Sequence, residues 1–115
     1  MYMNFTKSIQ TCYKKFFDFS GRASKSEYWW FQLYGIIIYG LLFVFQGDLA
    51  LVFSILAIAN LIPLWAAGVR RLHDTDKSGW FILISFIPIF GLFVIYLLIL
   101  DGSKGKNRFG PKPKK

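Results

Sequence analysis

One cysteine and one histidine occur among 115 residues, and six acidic residues stand against fourteen basic ones. Cys12 alone forbids an intramolecular disulfide and any cysteine cluster for zinc or iron and sulfur. A small filler on an apolar helix face is the expected role for such a thiol. His73 alone excludes a histidine-rich metal site within one copy, so no metal and no cofactor is expected. The sequence also lacks a nucleophilic-serine motif, paired catalytic carboxylates and a phosphate-cradling glycine loop, and no catalytic residue is assigned. What the chain has in excess is apolar surface: 55% of residues are hydrophobic and 20% aromatic, with a formal net charge of +8 and a mean hydropathy of +0.43. A soluble nucleic-acid-binding domain can be this basic, but it has no use for so many phenylalanines, and nucleic acid is discounted as a partner.

Charge is absent from three stretches: Tyr28 to Phe45, Leu49 to Val69 and Gly79 to Leu100. As helices these reach roughly 27 to 33 Å, against a hydrocarbon core of about 30 Å. A chain this short has too little left over to cover three such helices in water. The sequence therefore predicts an all-α, integral membrane three-helix bundle forming a single domain, with transmembrane helices over 28–45, 49–69 and 79–100. The bilayer is its first partner.

Local signals mark the helix ends. Ser24 and Glu27 have the spacing of a capping box ahead of the first run, and Tyr28, Trp29 and Trp30 suit the headgroup level. Gln46, Gly47 and Asp48 make a tight connection, with Gly47 suited to a helix C-terminus and Asp48 to the next N-cap, so the first two helices form an antiparallel hairpin. Ser78 is placed to cap the third. Residues 1–20 read as an amphipathic interfacial helix: Phe5, Ile9, Cys12, Tyr13, Phe16 and Phe19 share an arc of about 120°, with Lys7, Lys14 and Lys15 opposite or flanking. That face either lies in the acyl boundary or packs on the bundle. The basic tail, 101–115, has no apolar periodicity and reads as flexible, mobile beyond Phe109.

Topology follows from the positive charges. Three full spans put Lys7, Lys14, Lys15, Arg22 and Lys25 on one side with Arg70, Arg71 and Lys77, and leave the six cations of the tail on the other. If the third run instead dipped in and returned, at Pro88-Ile89-Phe90-Gly91, all fourteen would share one side. Two other helices give little cover to non-helical backbone at that depth, so three spans with a kinked third helix and a cytoplasmic N-terminus are expected.

The densest polar segment is Arg70-Arg71-Leu72-His73-Asp74-Thr75-Asp76-Lys77-Ser78. Asp74 is spaced to pair with Arg70 or Arg71 on one helix face, and paired arginine forks suit phosphate. His73 beside Asp74 invites an acid/base reading, although neighbouring helical side chains point about 100° apart. Within the spans Asn60 precedes Pro63 by a turn, placed to satisfy a carbonyl the proline frees. Ionisable groups are missing from the spans, which counts against a proton-coupled transporter or ion pump.

Three segments in order, Phe19-Ser20-Gly21-Arg22-Ala23-Ser24-Lys25-Ser26-Glu27-Tyr28-Trp29, then Arg70-Arg71-Leu72-His73-Asp74 through Ser78-Gly79-Trp80, then Asn107-Arg108-Phe109-Gly110-Pro111, resemble the bacterial inner-membrane family called domain of unknown function 805. The resemblance implies a small multi-pass inner (plasma) membrane protein and supplies no reaction. Pro111-Lys112-Pro113 departs from it, since family members often carry an acidic residue between the prolines. Arg22, Arg70, Arg71, His73, Asp74, Asn107 and Arg108 are the candidate interfacial binding residues. The expected function is a non-enzymatic membrane component that holds anionic lipid headgroups or a protein partner through them. The alternatives are a subunit of an oligomeric channel or transporter, which needs a homo-oligomer or other membrane partner, and a membrane enzyme acting on a phosphorylated lipid through His73 and Asp74.

Overall fold

In the computed structural model residues 3–113 are described, and every named element among them is a helix: α1 (Phe5–Lys14), α2 (Lys25–Val44), α3 (Asp48–Asp74), α4 (Phe81–Ile84) and α5 (Pro88–Ile99). Helix α1 is capped by the Asn4 side chain, which accepts from the Lys7 amide at 2.7 Å. It ends at Lys14, so the amphipathic helix is shorter than the predicted 1–20 and Phe16 and Phe19 lie beyond it. Its apolar face packs on α2. Phe5 meets Trp30 edge-on at 5.9 Å, Tyr13 meets Phe31 at 5.5 Å, and the Ser8 hydroxyl donates to the Glu27 carbonyl.

Helix α2 starts at the Ser24 cap, whose hydroxyl accepts from the Glu27 amide at 3.2 Å. The predicted capping box is half realised, because the Glu27 carboxylate goes to Arg70 and not back to Ser24. At the next connection Gly47 itself occupies the N-cap position with φ +69°, and Asp48 is already helical rather than the cap. Helix α3 then runs 27 residues, about 40 Å, and continues past Val69 to Asp74. It is the one described helix with both the length and the apolar content to cross a membrane. The first apolar run is diluted by Tyr28, Trp29, Trp30, Gln32, Tyr34 and Tyr39. Along the hairpin Asn60 faces Gly35. Its amide oxygen accepts from the Tyr13 hydroxyl at 2.8 Å, so its partner comes from α1 and not from the turn around Pro63.

The third apolar run departs furthest from expectation. It is not one kinked helix over 79–100. It makes a single turn of helix, α4, then a tight bend through Ser85, Phe86 and Ile87, then α5. Pro88 begins α5, where its missing N–H is no loss, and holds Ile87 in extended backbone at φ −95°, ψ 120°. Gly91 completes the bend: a Cβ there would lie 2.7 Å from the Ser85 carbonyl oxygen. Helix α4 leaves beside the last turns of α3, with Ile82 against Gly68. Helix α5 comes back to the same end, where the Leu98 carbonyl accepts from Trp29 Nε1 at 3.1 Å and from Arg71 Nε at 3.0 Å. Its 12 residues cover about 18 Å, short of a hydrocarbon core. The bend itself is open, with Phe86 and Ile87 exposed, while Gly91, Val94, Leu97 and Leu98 along α5 are buried.

The core joins Cys12, Tyr28, Phe31, Ala67, Leu72, Val94, Leu97 and Leu98. Away from it the surface is apolar to a degree that water does not tolerate: Phe43 is 90% exposed and Ile89 80%, and Val44, Ile58 and Leu92 are nearly as open.

Candidate functional site: a buried arginine cluster and two cavities

The charged residues gather where α2 begins, α3 ends and α5 ends. Asp74, on the last turn of α3, accepts from Arg22 Nε at 2.9 Å through one carboxylate oxygen and from Arg71 Nη1 through the other. Arg70 pairs instead with Glu27 of α2. These three arginine side chains are at most 1% exposed. Arg22 also donates to the carbonyls of Ser103 at 2.7 Å and Gly105 at 2.6 Å, and Arg71 to those of Leu98, Ala23 and Leu100. Three cations against two carboxylates leave one positive charge in excess. The carbonyls at the C-terminal end of α5 meet it, since a helix end of that polarity attracts cations.

The tail is therefore part of the cluster. Ser103 donates its amide to the Asp74 carbonyl at 2.7 Å, Asn107 Nδ2 donates to the His73 carbonyl at 2.9 Å, and Arg108 pairs with Asp76 at 3.3 Å. A Cβ on Gly102 would overlap the Asp74 carboxylate, so only glycine lets the tail pass. This corrects the expectation of an unstructured segment as far as Gly110, while Lys114 and Lys115 lie outside the described residues.

All seven sequence-predicted residues come together here, which a tail on the far side of three full spans does not allow. Their roles differ from the expected ones. The fork of Arg71 is spent on Asp74 and backbone carbonyls. Arg70 gives Nε to the Asp18 carbonyl and Nη1 to Glu27, and its Nη2 is buried with no hydrogen-bond partner among the described residues, so neither offers an exposed face to a phosphate. Asp74 pairs with Arg22 and Arg71 but not with Arg70. His73 Nδ1 donates to the Gly21 carbonyl at 2.9 Å, so His73 and Asp74 form no acid/base couple. Sequence reasoning missed Glu27, because Ser-x-x-Glu spacing reads equally as a cap. It also missed Gly102 and Ser103. A glycine two residues beyond the last apolar run was the available signal.

Burial sets the electrostatics. It pushes the Cys12 thiol up to about 12, which leaves no thiolate at neutral pH and makes this cysteine inert. It pulls the Arg71 guanidinium down, against the opposing pull of Asp74. It also lowers the His73 imidazole below its ordinary value, with the Gly21 bond opposing and nearby Arg108 adding to the fall. The Ser20 hydroxyl bond holds Asp18 below the usual carboxylate range.

Two cavities flank the cluster. One, of about 420 Å³, opens at the first turn of α2 between Ser24, Ser26, Lys25, Lys104 and Lys112, with Asp74 and Asp101 in its wall. Lys25 pairs with Asp101, whereas Lys104 and Lys112 have no ion pair among the described residues. The other, of about 470 Å³, lies beside His73 and is walled by Phe19, Val69, Trp80, Ile82, Leu83 and Phe109.

The chain is 39% identical over 106 residues to the inner membrane protein YhaI of Escherichia coli strain K12, covering 88% of this chain and 90% of the relative. It is 41% identical over 110 residues to the inner membrane protein YhaH of the same organism, covering 88% and 91%. No solved structure matches significantly. The family model described as "Protein of unknown function (DUF805)" matches residues 16–111, a span holding the whole arginine cluster and the docked tail, and the chain belongs to that family.

Proposed function

We propose that this protein is a non-enzymatic component of the bacterial inner membrane that inserts from the cytoplasmic side and holds anionic headgroups over its lysine-lined cavity. One observation carries the reading: the α2–α3 hairpin and the α4–α5 hairpin both begin and end at the charged cluster, because Arg22 ties the tail to Asp74. In such an arrangement the twelve described basic residues share one face, and the positive-inside bias puts that face in the cytoplasm. The pair α2–α3 crosses the bilayer and α4–α5 dips into it. The names of the relatives and the exposed apolar surface support the location.

Within the cluster the arginines build and the lysines bind. The guanidiniums are buried and hold chain segments together, while Lys104 and Lys112 are exposed at the rim of the polar cavity with the Ser24 and Ser26 hydroxyls beside them. Each lysine near an anionic surface is worth about 1 kcal/mol of attraction. Phosphatidylglycerol offered to the purified protein in neutral detergent is then retained in native mass spectra in preference to phosphatidylcholine. The variant with Lys25, Lys104 and Lys112 replaced by glutamine loses that preference. Equal retention of the two lipids by the wild-type protein contradicts the reading.

A further inference from the structure

The cavity beside His73 has a chemistry of its own. Its walls are aromatic and aliphatic apart from Ser78, whose hydroxyl accepts from the Trp80 amide, and the one titratable side chain lining it is His73, which is 8% exposed. The Gly21 carbonyl can only accept, so Nδ1 carries a proton. In the neutral ring Nε2 is then a lone-pair acceptor. It faces Gly79, where a Cβ would lie 3.3 Å away. With no side chain at that position, Nε2 is left open to the cavity. No hydrogen-bond partner for it is found among the described residues. The ring is held in place by Phe109, stacked on it at 3.8 Å with 2° between the planes.

The charged groups around it keep the imidazole neutral. Asp74 and Asp76 are engaged by Arg22, Arg71 and Arg108. Of the groups that act on the ring, Arg108 and burial oppose protonation, and the Gly21 bond favours it. A neutral imidazole with one fixed acceptor, set in a pocket of aromatic and branched side chains, selects a hydrogen-bond donor attached to an apolar body. A cation is opposed by Arg108, whose charge already acts on the ring, and an anion meets a lone pair.

We propose that this cavity binds an apolar alcohol, a molecule whose ring or chain fills the space between Phe19, Trp80 and Leu83 and whose single hydroxyl donates to His73 Nε2. On the membrane placement proposed above, the pocket lies at the level where the chain enters the bilayer, and a membrane-borne alcohol reaches it laterally. None of the three lysines of the polar cavity lines it, and the two assignments stand or fall separately.

His73 is the only histidine in the sequence, which makes the test direct. The full-length protein, labelled with nitrogen-15 at histidine and held in detergent micelles, gives one imidazole with two nitrogen resonances. The proposal predicts a protonated Nδ1 and a pyridine-type Nε2 at neutral pH. It predicts that hexylphenol moves the Nε2 resonance saturably towards the hydrogen-bonded position. Hexylanisole, with the same apolar body and no hydroxyl proton, leaves Nε2 in place. An Nε2-protonated ring, no response to hexylphenol, or the same response to both compounds overturns it.

Discussion

Arg22 and Asp74 stand 52 residues apart in the chain, yet their side chains meet at 2.9 Å with both buried. The bond fixes the segment before α2 to the end of α3, and the other arms of Arg22 fix the tail to both. Removing one partner from a buried pair leaves an uncompensated charge, a loss of about 3–5 kcal/mol. Asp74→Ala strands two guanidiniums at once and is expected to lower the melting temperature in detergent sharply. Replacing both Arg22 and Asp74 by methionine and leucine is expected to cost less than the sum of the single losses, and a double-mutant cycle measures that coupling. Additive losses count against the pair.

Gly102 tests the docking of the tail. Gly102→Ala puts a methyl group into the Asp74 carboxylate, and overpacking of this kind costs about 1–3 kcal/mol. The expected result is faster tryptic cleavage at Lys104, Lys106 and Arg108 with the core helices still intact. Gly105→Ala, at a position where a Cβ meets nothing within 4 Å, is the control and leaves cleavage unchanged.

The sign of one substitution separates the returning hairpin from a continuous third helix. In a helix interior Gly91→Ala adds about 1 kcal/mol of stability. In the bend it drives a Cβ to 2.7 Å from the Ser85 carbonyl oxygen, and stability falls. Thermal unfolding in detergent reads the direction.

The His73 ring confers a pH dependence. Burial lowers its folded value below the ordinary value of about 6.5 that it keeps in the unfolded chain. The unfolded chain therefore takes up the proton first as pH drops. The stability from keeping the ring neutral is complete above about 6.5 and is lost as pH falls through the lower folded value. Subtracting the stability of His73→Gln from that of the wild-type protein, measured from pH 8 to pH 5, isolates the effect. A difference that grows as pH falls contradicts it.

Much of this was legible in the sequence. The charge-free runs marked the apolar helices, Gly47 marked the tight α2–α3 connection, and the polar segments that form the cluster were each visible. Two things were not legible. Pro88 and Gly91 announce a break, but whether the chain kinks onward or turns back depends on contacts made further along α5, where Val94, Leu97 and Leu98 join the core. The arginines looked like phosphate forks because a sequence shows donors without their acceptors. Most of the acceptors here are backbone carbonyls, at Ala23, Leu98, Leu100, Ser103 and Gly105, which no residue type announces.

The shared face of the two chain ends is the centre of this account, and self-assembling split green fluorescent protein tests it most directly. The short strand is fused to the N-terminus in one strain and to the C-terminus in another, with the large fragment expressed in the cytoplasm. Fluorescence from both fusions is the predicted result. Fluorescence from the N-terminal fusion alone puts the tail across the membrane, separates Arg22 from Ser103 and Gly105, and contradicts the account.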